Sequence, residues 1–148
     1  MPEDIIVRSP QTEQEWYDYY LLRWQILREP WKQPLGSERD ELEDSSYHQL
    51  ALNNKTIIGA GRIHIINNST AQIRYMAVSD SYRRKGIGSK LLVSLENKAR
   101  KWGCTEIILN ARNSCIRFYK KHAYLEIENG PTLYGSIAHT RMRKNINQ

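Results

Sequence analysis

The sequence predicts one α/β domain in which helices cover a mixed, mostly antiparallel sheet. The first observation is the order of its periodic segments, which is βαβββαβαββ. The second is a polar turn with two glycines that leads from a strand directly into a long amphipathic helix. The third is composition, because 148 residues with 40% hydrophobic and 26% charged residues suit a single packed domain. We therefore expect a single domain over residues 1–148, with one core and one site.

The N-terminal part predicts a strand followed by a helix. Residues 5–8 form a short apolar run, and Thr12 with Glu15 makes a capping-box pattern before a helix over about 13–28. Two prolines then stop the helix. The acidic segment that follows, residues 36–46, is expected to be irregular or weakly helical and exposed at the surface.

The central part predicts a three-stranded antiparallel meander, because asparagine-rich turns separate three strand-like runs at 47–52, 56–66 and 71–78. Apolar residues on one face predict the long helix from Ile87, which ends at Gly103. A buried strand over 106–110 comes next. Ser114 is expected to cap a short helix that runs to His122, and two strands, YLEIE and IAHTRMR, complete the sheet.

The turn before the long helix is the most informative segment. Gly86 and Gly88 remove side chains where the backbone would approach a ligand closely, and the first helical N–H groups lack partners within the helix. Three cations at 83–85 and the helix dipole favour a pyrophosphate. The dinucleotide fingerprint is incomplete because Leu91 stands at its third glycine, and no Walker GK[ST] follows. From spacing alone, a plain strand-to-helix connection explains the glycines equally well.

A family resemblance makes this segment specific. The turn RRKGIG matches the [QR]xxGx[GA] signature of GNAT (Gcn5-related N-acetyltransferase) proteins, and it follows the strand IRYMAVS as that family requires. The segment IILNARNSCIRFYKKHAY resembles the family's second cofactor segment. The N-terminal stretch is similar to the acetyltransferase half of bacterial proteins that fuse this fold to a hotdog thioesterase. The resemblance covers nearly the whole chain.

The resemblance implies a sheet that splays between its fourth and fifth strands, at 72–79 and 106–110, with the pantetheine arm of acetyl-CoA in the cleft. One amide near Ala77 would polarise the acetyl carbonyl. The residues expected to contact the cofactor are Met76, Ala77, Val78, Arg83, Arg84, Lys85, Gly86, Ile87, Gly88, Ser89, Asn110, Arg112 and Tyr119.

Two positions depart from the family pattern. Arg112 stands where many members carry an asparagine that bonds the cofactor arm, so Asn110 or Asn113 substitutes for it or the contact is absent. Ala123 replaces the usual glycine after the second cofactor helix. Alanine is costly in a left-handed cap, so a different helix end is expected there.

The candidates for proton chemistry come from the same resemblance. Tyr119 matches the family's proton donor to the leaving thiolate. Glu38 is the first candidate for the base because GSERD resembles the matching segment of the fused proteins, although most carboxylates of this segment are expected to be solvated. His139 is the second, since GSIAHTRM resembles a GIPH-type ending. Structural roles are expected for the other histidines, whose spacing does not suggest a metal site: His48, His64 and His122.

These observations predict an acetyl-CoA-dependent N-acetyltransferase that acts by direct attack in a ternary complex, on a small-molecule or protein amine. Two alternatives stay open: a coenzyme A-binding module without transfer chemistry, and an acyltransferase acting on a carrier-protein thiol. The net charge of +6 would suit nucleic acid, but no RNP motif, zinc finger or basic arm is present. A homodimer is compatible with the sequence.

The sequence also bears on location. No apolar run is long enough to span a bilayer, and the N-terminus lacks the basic start and the small-residue end of a signal peptide. A cytoplasmic location is therefore expected. With no export signal, Cys104 and Cys115 are expected to be thiols in the core rather than a disulfide.

Overall fold

The computed structural model describes residues 4–146. Residues 1–3, at the start of the stretch that lacks the features of a signal peptide, lie outside this range. The strands are β1 (Ile5–Arg8), β2 (Tyr47–Asn53), β3 (Thr56–Ile65), β4 (Thr70–Val78), β5 (Glu106–Arg112), β6 (Leu125–Leu133) and β7 (Ile137–Asn145). The helices are α1 (Glu13–Leu27), α2 (Ile87–Lys101) and α3 (Ile116–Lys121). This order confirms the predicted βαβββαβαββ pattern. No helix within residues 4–146 is long and apolar enough to cross a membrane.

All seven strands join one sheet in the order β1-β2-β3-β4-β5-β7-β6. Neighbouring strands are antiparallel except β4 and β5, which run parallel. The parallel pairing begins at Thr70 opposite Glu106 and ends at Ile73 opposite Leu109. Beyond this point the described strands no longer pair, so the sheet opens between β4 and β5 as predicted.

A β-bulge in β4 lies directly after the last parallel pair. The register between β3 and β4 shifts between Ala60 and Arg62, and Tyr75 adopts a left-handed φ of 58°. Before the bulge, Ile73 packs on the α2 side of the sheet, whereas Tyr75 and Ala77 pack with α1. The extra residue thus interrupts the strict alternation of side chains along the strand.

The two faces of the sheet are packed differently. On one face the apolar stripe of α2 covers β3, β4 and β5, as expected for an amphipathic helix. On the other face α1 buries aromatic and charged side chains, including Tyr19 and Arg23, which are both 0% exposed. The α2 side is therefore an ordinary hydrophobic core, while the α1 side depends on paired charges.

The expectation that the acidic segment is an exposed surface feature is wrong for its central residues. Glu43 accepts hydrogen bonds from Arg23 at 2.9 and 3.0 Å and from Arg62 at 2.7 Å, and Asp40 pairs with Arg62 at 2.6 Å. Both arginines are fully buried, and a buried charge is costly unless it is paired. The two carboxylates therefore pack against the sheet, where they neutralise the charges of the arginines. Glu41 stays exposed.

The helix ends confirm one prediction and correct two. Thr12 caps α1 by accepting the Glu15 N–H at 3.1 Å. Ser114 does not cap α3, because it lies in a 3-10 turn and no side chain caps that helix. The prediction that α3 does not end in the usual left-handed cap at Ala123 is also wrong. Ala123 adopts a left-handed φ of 69°, and the Tyr124 N–H bonds the Tyr119 carbonyl at 3.1 Å, so alanine bears the strain of an ordinary cap.

Candidate active site

The opening between β4 and β5 exposes main-chain groups of β4. The Ser79 N–H donates to the Ile58 carbonyl of β3 at 2.8 Å, and Ala77 is aligned with Ala60 of the same strand. Since amides alternate in direction along a strand, the Val78 amide points away from β3 and toward the opening. An extended ligand placed there would pair with β4 like a further strand, mainly through Val78 and Met76 rather than through Ala77.

The turn after β4 directs helical N–H groups toward the same opening. Arg84 and Gly86 both have left-handed φ angles, of 63° and 81°, which bend the chain sharply into α2. No side chain caps this helix of 15 residues. The first N–H groups of α2, from Ile87 to Ser89, therefore point at solvent in the direction that suits an anion.

The cations of the turn lie at the mouth of this site. Arg83 pairs with Asp80 at 3.0 Å in an exposed contact, which is worth little and leaves the guanidinium available. The Lys85 Nζ lies 5.3 Å from the Tyr82 ring centroid. The turn thus carries the positive charge expected for pyrophosphate binding.

The packing of α2 on α3 gives Gly88 a second role, apart from the approach of a ligand to the backbone. A Cβ at Gly88 would lie 3.2 Å from the Phe118 ring, whereas one at Gly86 would meet nothing within 4 Å. Gly88 therefore permits close packing of α2 on α3, in addition to any role near a ligand. The Ser89 hydroxyl lies 2.9 Å from the His122 Nε2, which ties the same two helices together.

Tyr119 lies on the inner side of α3. Its ring makes T-shaped contacts with Phe118 at 5.0 Å and with Tyr124 at 5.7 Å between centroids. Burial raises the pKa of Tyr119 well above the usual range for a phenol, so the group stays protonated near neutral pH. Within residues 4–146, the Tyr119 hydroxyl forms no hydrogen bond. The side chain can donate a proton but not act as a base.

The polar side chains at the end of β5 contact different parts of the fold. Asn113 accepts a hydrogen bond from the Thr140 hydroxyl at 2.8 Å, so its oxygen is occupied. The Asn110 Oδ1 is buried without a hydrogen bond and would lie 3.2 Å from a Cβ at Gly130. It is directed toward β6 and not toward β4. Arg112 extends on the α1 side, where its Nη2 lies 3.5 Å from the Leu27 carbonyl.

His139 of β7 is held in one orientation by two backbone carbonyls. Its Nδ1 lies 3.0 Å from the carbonyl oxygens of both Pro131 and Ile137. Carbonyl oxygens only accept, so Nδ1 carries the proton of the neutral ring and Nε2 keeps a lone pair. Burial lowers the pKa of His139, the two carbonyls partly oppose this, and Arg112 with Arg28 lowers it further. The imidazole is thus neutral near pH 7.

Glu38 is less free than expected for a base. The residue is 3% exposed, and its carboxylate accepts from the Gly36 N–H at 2.8 Å and from the Arg39 Nε at 3.3 Å. Its backbone carbonyl accepts a hydrogen bond from Arg23. Both carboxylate oxygens therefore have partners inside the loop.

A cavity of about 350 Å³ borders the end of β5. Arg112 and Asn113 in its wall were already site candidates, but its other walls were not predicted. Trp31, in the short turn after α1, forms one side of it, and Ile137 of β7 forms another. Only the aromatic residue beside Pro30 could have indicated this wall. Within residues 4–146 no group of three or more histidine, cysteine or acidic side chains is arranged to hold a metal, and both cysteines are free thiols.

The gap, the uncapped helix and the cationic turn together define a site for an extended ligand that bears phosphates. The sequence profile described as the acetyltransferase (GNAT) family matches residues 14–124. The chain belongs to this family, and the predicted enzyme class, an acetyltransferase, is confirmed.

Relatives and solved structures agree with this assignment. The uncharacterized N-acetyltransferase YjcF of Bacillus subtilis (strain 168) is 29% identical over 134 residues, covering 90% of this chain and 95% of that protein. The fold resembles an aminoglycoside 6'-N-acetyltransferase crystallised with coenzyme A, with a TM-score of 0.81, 15% identity and 98% of each chain covered. An acyl-CoA N-acyltransferase from Pseudomonas aeruginosa gives 0.78 at 21% identity, covering 97% of this chain and 99% of that one. These likenesses confirm the predicted fold.

Proposed function

We propose that the protein transfers the acetyl group of acetyl-CoA to an amine by direct attack in a ternary complex. The observation that carries the proposal is the end of β4–β5 pairing after Ile73, beside the uncapped start of α2. The gap accepts an extended pantetheine arm, and the N–H groups of α2 with Arg83, Arg84 and Lys85 bind the pyrophosphate.

The transfer needs three proton movements. An acceptor ammonium gives one proton to a base, and the amine nitrogen then attacks the thioester carbonyl. The oxyanion accepts a hydrogen bond from an amide of β4, and its collapse breaks the C–S bond. The leaving thiolate takes a proton from Tyr119, and the second proton of the nitrogen passes to the Tyr119 phenolate and restores the phenol. No covalent intermediate with the protein forms.

His139 has the better support as the base. Its Nε2 has a lone pair and no partner among the described residues, whereas the carboxylate of Glu38 is bonded to Gly36 and Arg39. The lowered pKa of His139 keeps the ring able to accept a proton near neutral pH. Glu38 stays a prediction that substitution can test.

The decisive measurement is release of free coenzyme A thiol from acetyl-CoA in the presence of a panel of amines. Amine-dependent release with formation of the N-acetyl product supports the proposal. Binding of acetyl-CoA without release for any acceptor indicates the coenzyme A-binding module, and release dependent on an acyl-carrier thiol indicates the third alternative.

Several coarser features belong to the same proposal. We propose that residues 1–148 act as one domain in the cytoplasm. The similarity to fused acetyltransferase–thioesterase proteins, a separate thioesterase partner and a homodimer stay predictions. Analytical ultracentrifugation tests the last of these directly.

A further inference from the structure

A positively charged cavity lies beside the opening of the sheet, at the C-terminal end of β5. Its volume of about 350 Å³ falls in the range of small-molecule sites. Trp31, Arg112 and Asn113 line it on one side, and Ser136 with Ile137 lines it on the other. Trp31, from the turn after α1, places the cavity on the α1 side of the sheet, next to the opening between β4 and β5.

Arg112 is fixed in the wall of this cavity. Its guanidinium lies 4.6 Å from the centroid of the Trp31 ring, and its long contact with the Leu27 carbonyl is 3.5 Å. Stacking on an aromatic ring orients the planar guanidinium while leaving other N–H groups of its fork available. Such a fork matches the two oxygens of a carboxylate or phosphate.

Arg28 adds a second cation behind Arg112. It is 8% exposed, and its donors bond only backbone carbonyls, those of Ser37 at 2.9 Å and Leu27 at 3.0 Å. In the part of the chain that the structure describes, neither Arg28 nor Arg112 forms an ion pair with a carboxylate. Buried cations are normally paired, so this cavity has an unmatched positive charge.

The contrast with neighbouring arginines strengthens this observation. The arginines near the Tyr75 ring on the same sheet face are compensated by Asp40 and Glu43: Arg23, Arg62 and Arg74. The fold therefore supplies carboxylates where the charges are structural. Within residues 4–146, no carboxylate forms an ion pair with Arg112.

The local electrostatics agree with the geometry. Burial lowers the pKa of Arg112, and the nearby cations Arg28 and Arg83 lower it further, against the opposing effects of Cys115 and Tyr134. The charged form is therefore held at a cost, which a bound anion would offset.

We propose that the acceptor is an amine that also carries an anionic group, a carboxylate or a phosphate, and that Arg112 binds this group. Arg28 contributes charge from behind without contacting it. The inference rests on the proposed acetyl transfer, since it names the acceptor class of that same site.

The test compares amine acceptors with and without an anionic group. The wild-type protein is assayed with ω-amino acids of increasing chain length against the corresponding ω-amino amides, and with phosphoethanolamine against ethanolamine. We expect kcat/KM to favour the best anionic member about ten- to one-hundredfold, as for hydrogen bonds to charged groups. Equal or better turnover of the neutral partners would overturn the inference. The carboxylate and phosphate arms distinguish the two anions.

Two arginine variants locate the effect. Arg112→Gln should abolish the preference for anionic acceptors, while the KM for acetyl-CoA stays unchanged. Arg143→Gln is the matched control, because it removes the same charge from the same face of the sheet, on the neighbouring strand β7, at an exposed position. A higher KM for acetyl-CoA in Arg112→Gln, with the acceptor preference intact, would assign Arg112 to the donor and overturn the inference.

Anion binding is also measured without turnover. Glutarate, at matched ionic strength, should raise the Tm of the coenzyme A-bound wild type but not that of Arg112→Gln. If this difference is seen but no amine is acetylated, the anion site stands and the proposed transfer fails. If transfer occurs but glutarate affects both proteins equally, the anion site is refuted and transfer stands.

Discussion

Replacing Glu43 by glutamine removes the charge at the centre of the buried ionic cluster. The carboxylate accepts three hydrogen bonds from Arg23 and Arg62 and one from the Asp40 N–H at 3.0 Å. Both arginines have 0% side-chain exposure, and Glu43 has 10%. Glutamine has nearly the same shape, so the change is mainly one of charge.

The magnitude follows from what the variant leaves behind. Breaking a buried ion pair by removing one partner costs about 3–5 kcal/mol, because the other charge stays buried without compensation. Asp40 still pairs with Arg62, and glutamine keeps one acceptor oxygen, so we expect a loss near the lower end, about 3 kcal/mol. For a domain of this size, that loss lowers the Tm by about 10 °C.

The assay is urea unfolding followed by circular dichroism, with the free energy of unfolding extrapolated to water. Glu41→Gln is the control, since Glu41 lies in the same segment but is exposed. We expect the control to change the free energy by less than about 0.5 kcal/mol. If Glu43→Gln loses no more than Glu41→Gln, the cluster does not stabilise the fold and the reasoning fails.

Four further outcomes follow from single residues. Burial alone would raise the pKa of Asp40, but the bond to Arg62, the Leu42 amide and Arg74 outweigh it and hold the pKa at about 2. A carboxyl with a depressed pKa stabilises the fold above its unfolded pKa of about 3.9, so stability should fall as the pH drops from about 4 toward 2, and Asp40→Asn should flatten that slope in acid titrations of unfolding. Ala123→Gly should raise the free energy of unfolding by about 0.5–1 kcal/mol, because relief of left-handed strain exceeds the added flexibility of the unfolded chain, and a decrease in urea titrations would contradict it. Tyr119→Phe should lower kcat about 100-fold with the acetyl-CoA affinity unchanged, and equal turnover across the pH profile, with chemistry rate-limiting, would make Tyr119 a packing residue. The kcat/KM profile should fall on the acid side below the ordinary histidine pKa of about 6.5, and His139→Gln should remove that limb if His139 is the base.

The elements that the sequence predicted well are those whose signals are local. The capping pattern at Thr12 begins α1, and Gly103, with a φ of 85°, ends the last turn after α2. The turn with Gly86 joins β4 to α2 as expected. In each case neighbouring residues provide both the signal and the physical cause, so no distant contact is needed.

The α1 face could not be predicted in the same way. Glu43 reads as a solvated surface charge because its partners, Arg23 and Arg62, are distant in sequence, in α1 and β3. The same separation hides the cavity beside Arg112, because the wall residue Trp31 is distant from Arg112 in sequence. Charge pairing between segments that are distant in sequence is a tertiary effect, and hydropathy does not record it.

The sequence also does not indicate which side chains of β4 face α1 and which face α2. Strict alternation from Ile73 would place Tyr75 and Ala77 on the α2 side, but both pack with α1. The run YMAV is apolar throughout, so either phase buries comparable side chains. Pattern alone could not reveal the extra residue.

The extra residue in the bulge of β4 bears on how the ligand gap between β4 and β5 could be gained or lost. Deleting Tyr75 would leave Met76, Ala77 and Val78 facing the sides that they now face, because the bulge and the deletion each shift the alternation by one. The shortened strand would lose the bend that a bulge imposes, and we expect it to continue alongside β5 past Ile73. The ligand gap therefore depends on strand length as well as on side-chain chemistry, so one codon-sized insertion or deletion could open or close it without altering the residues on either face of the remaining strand.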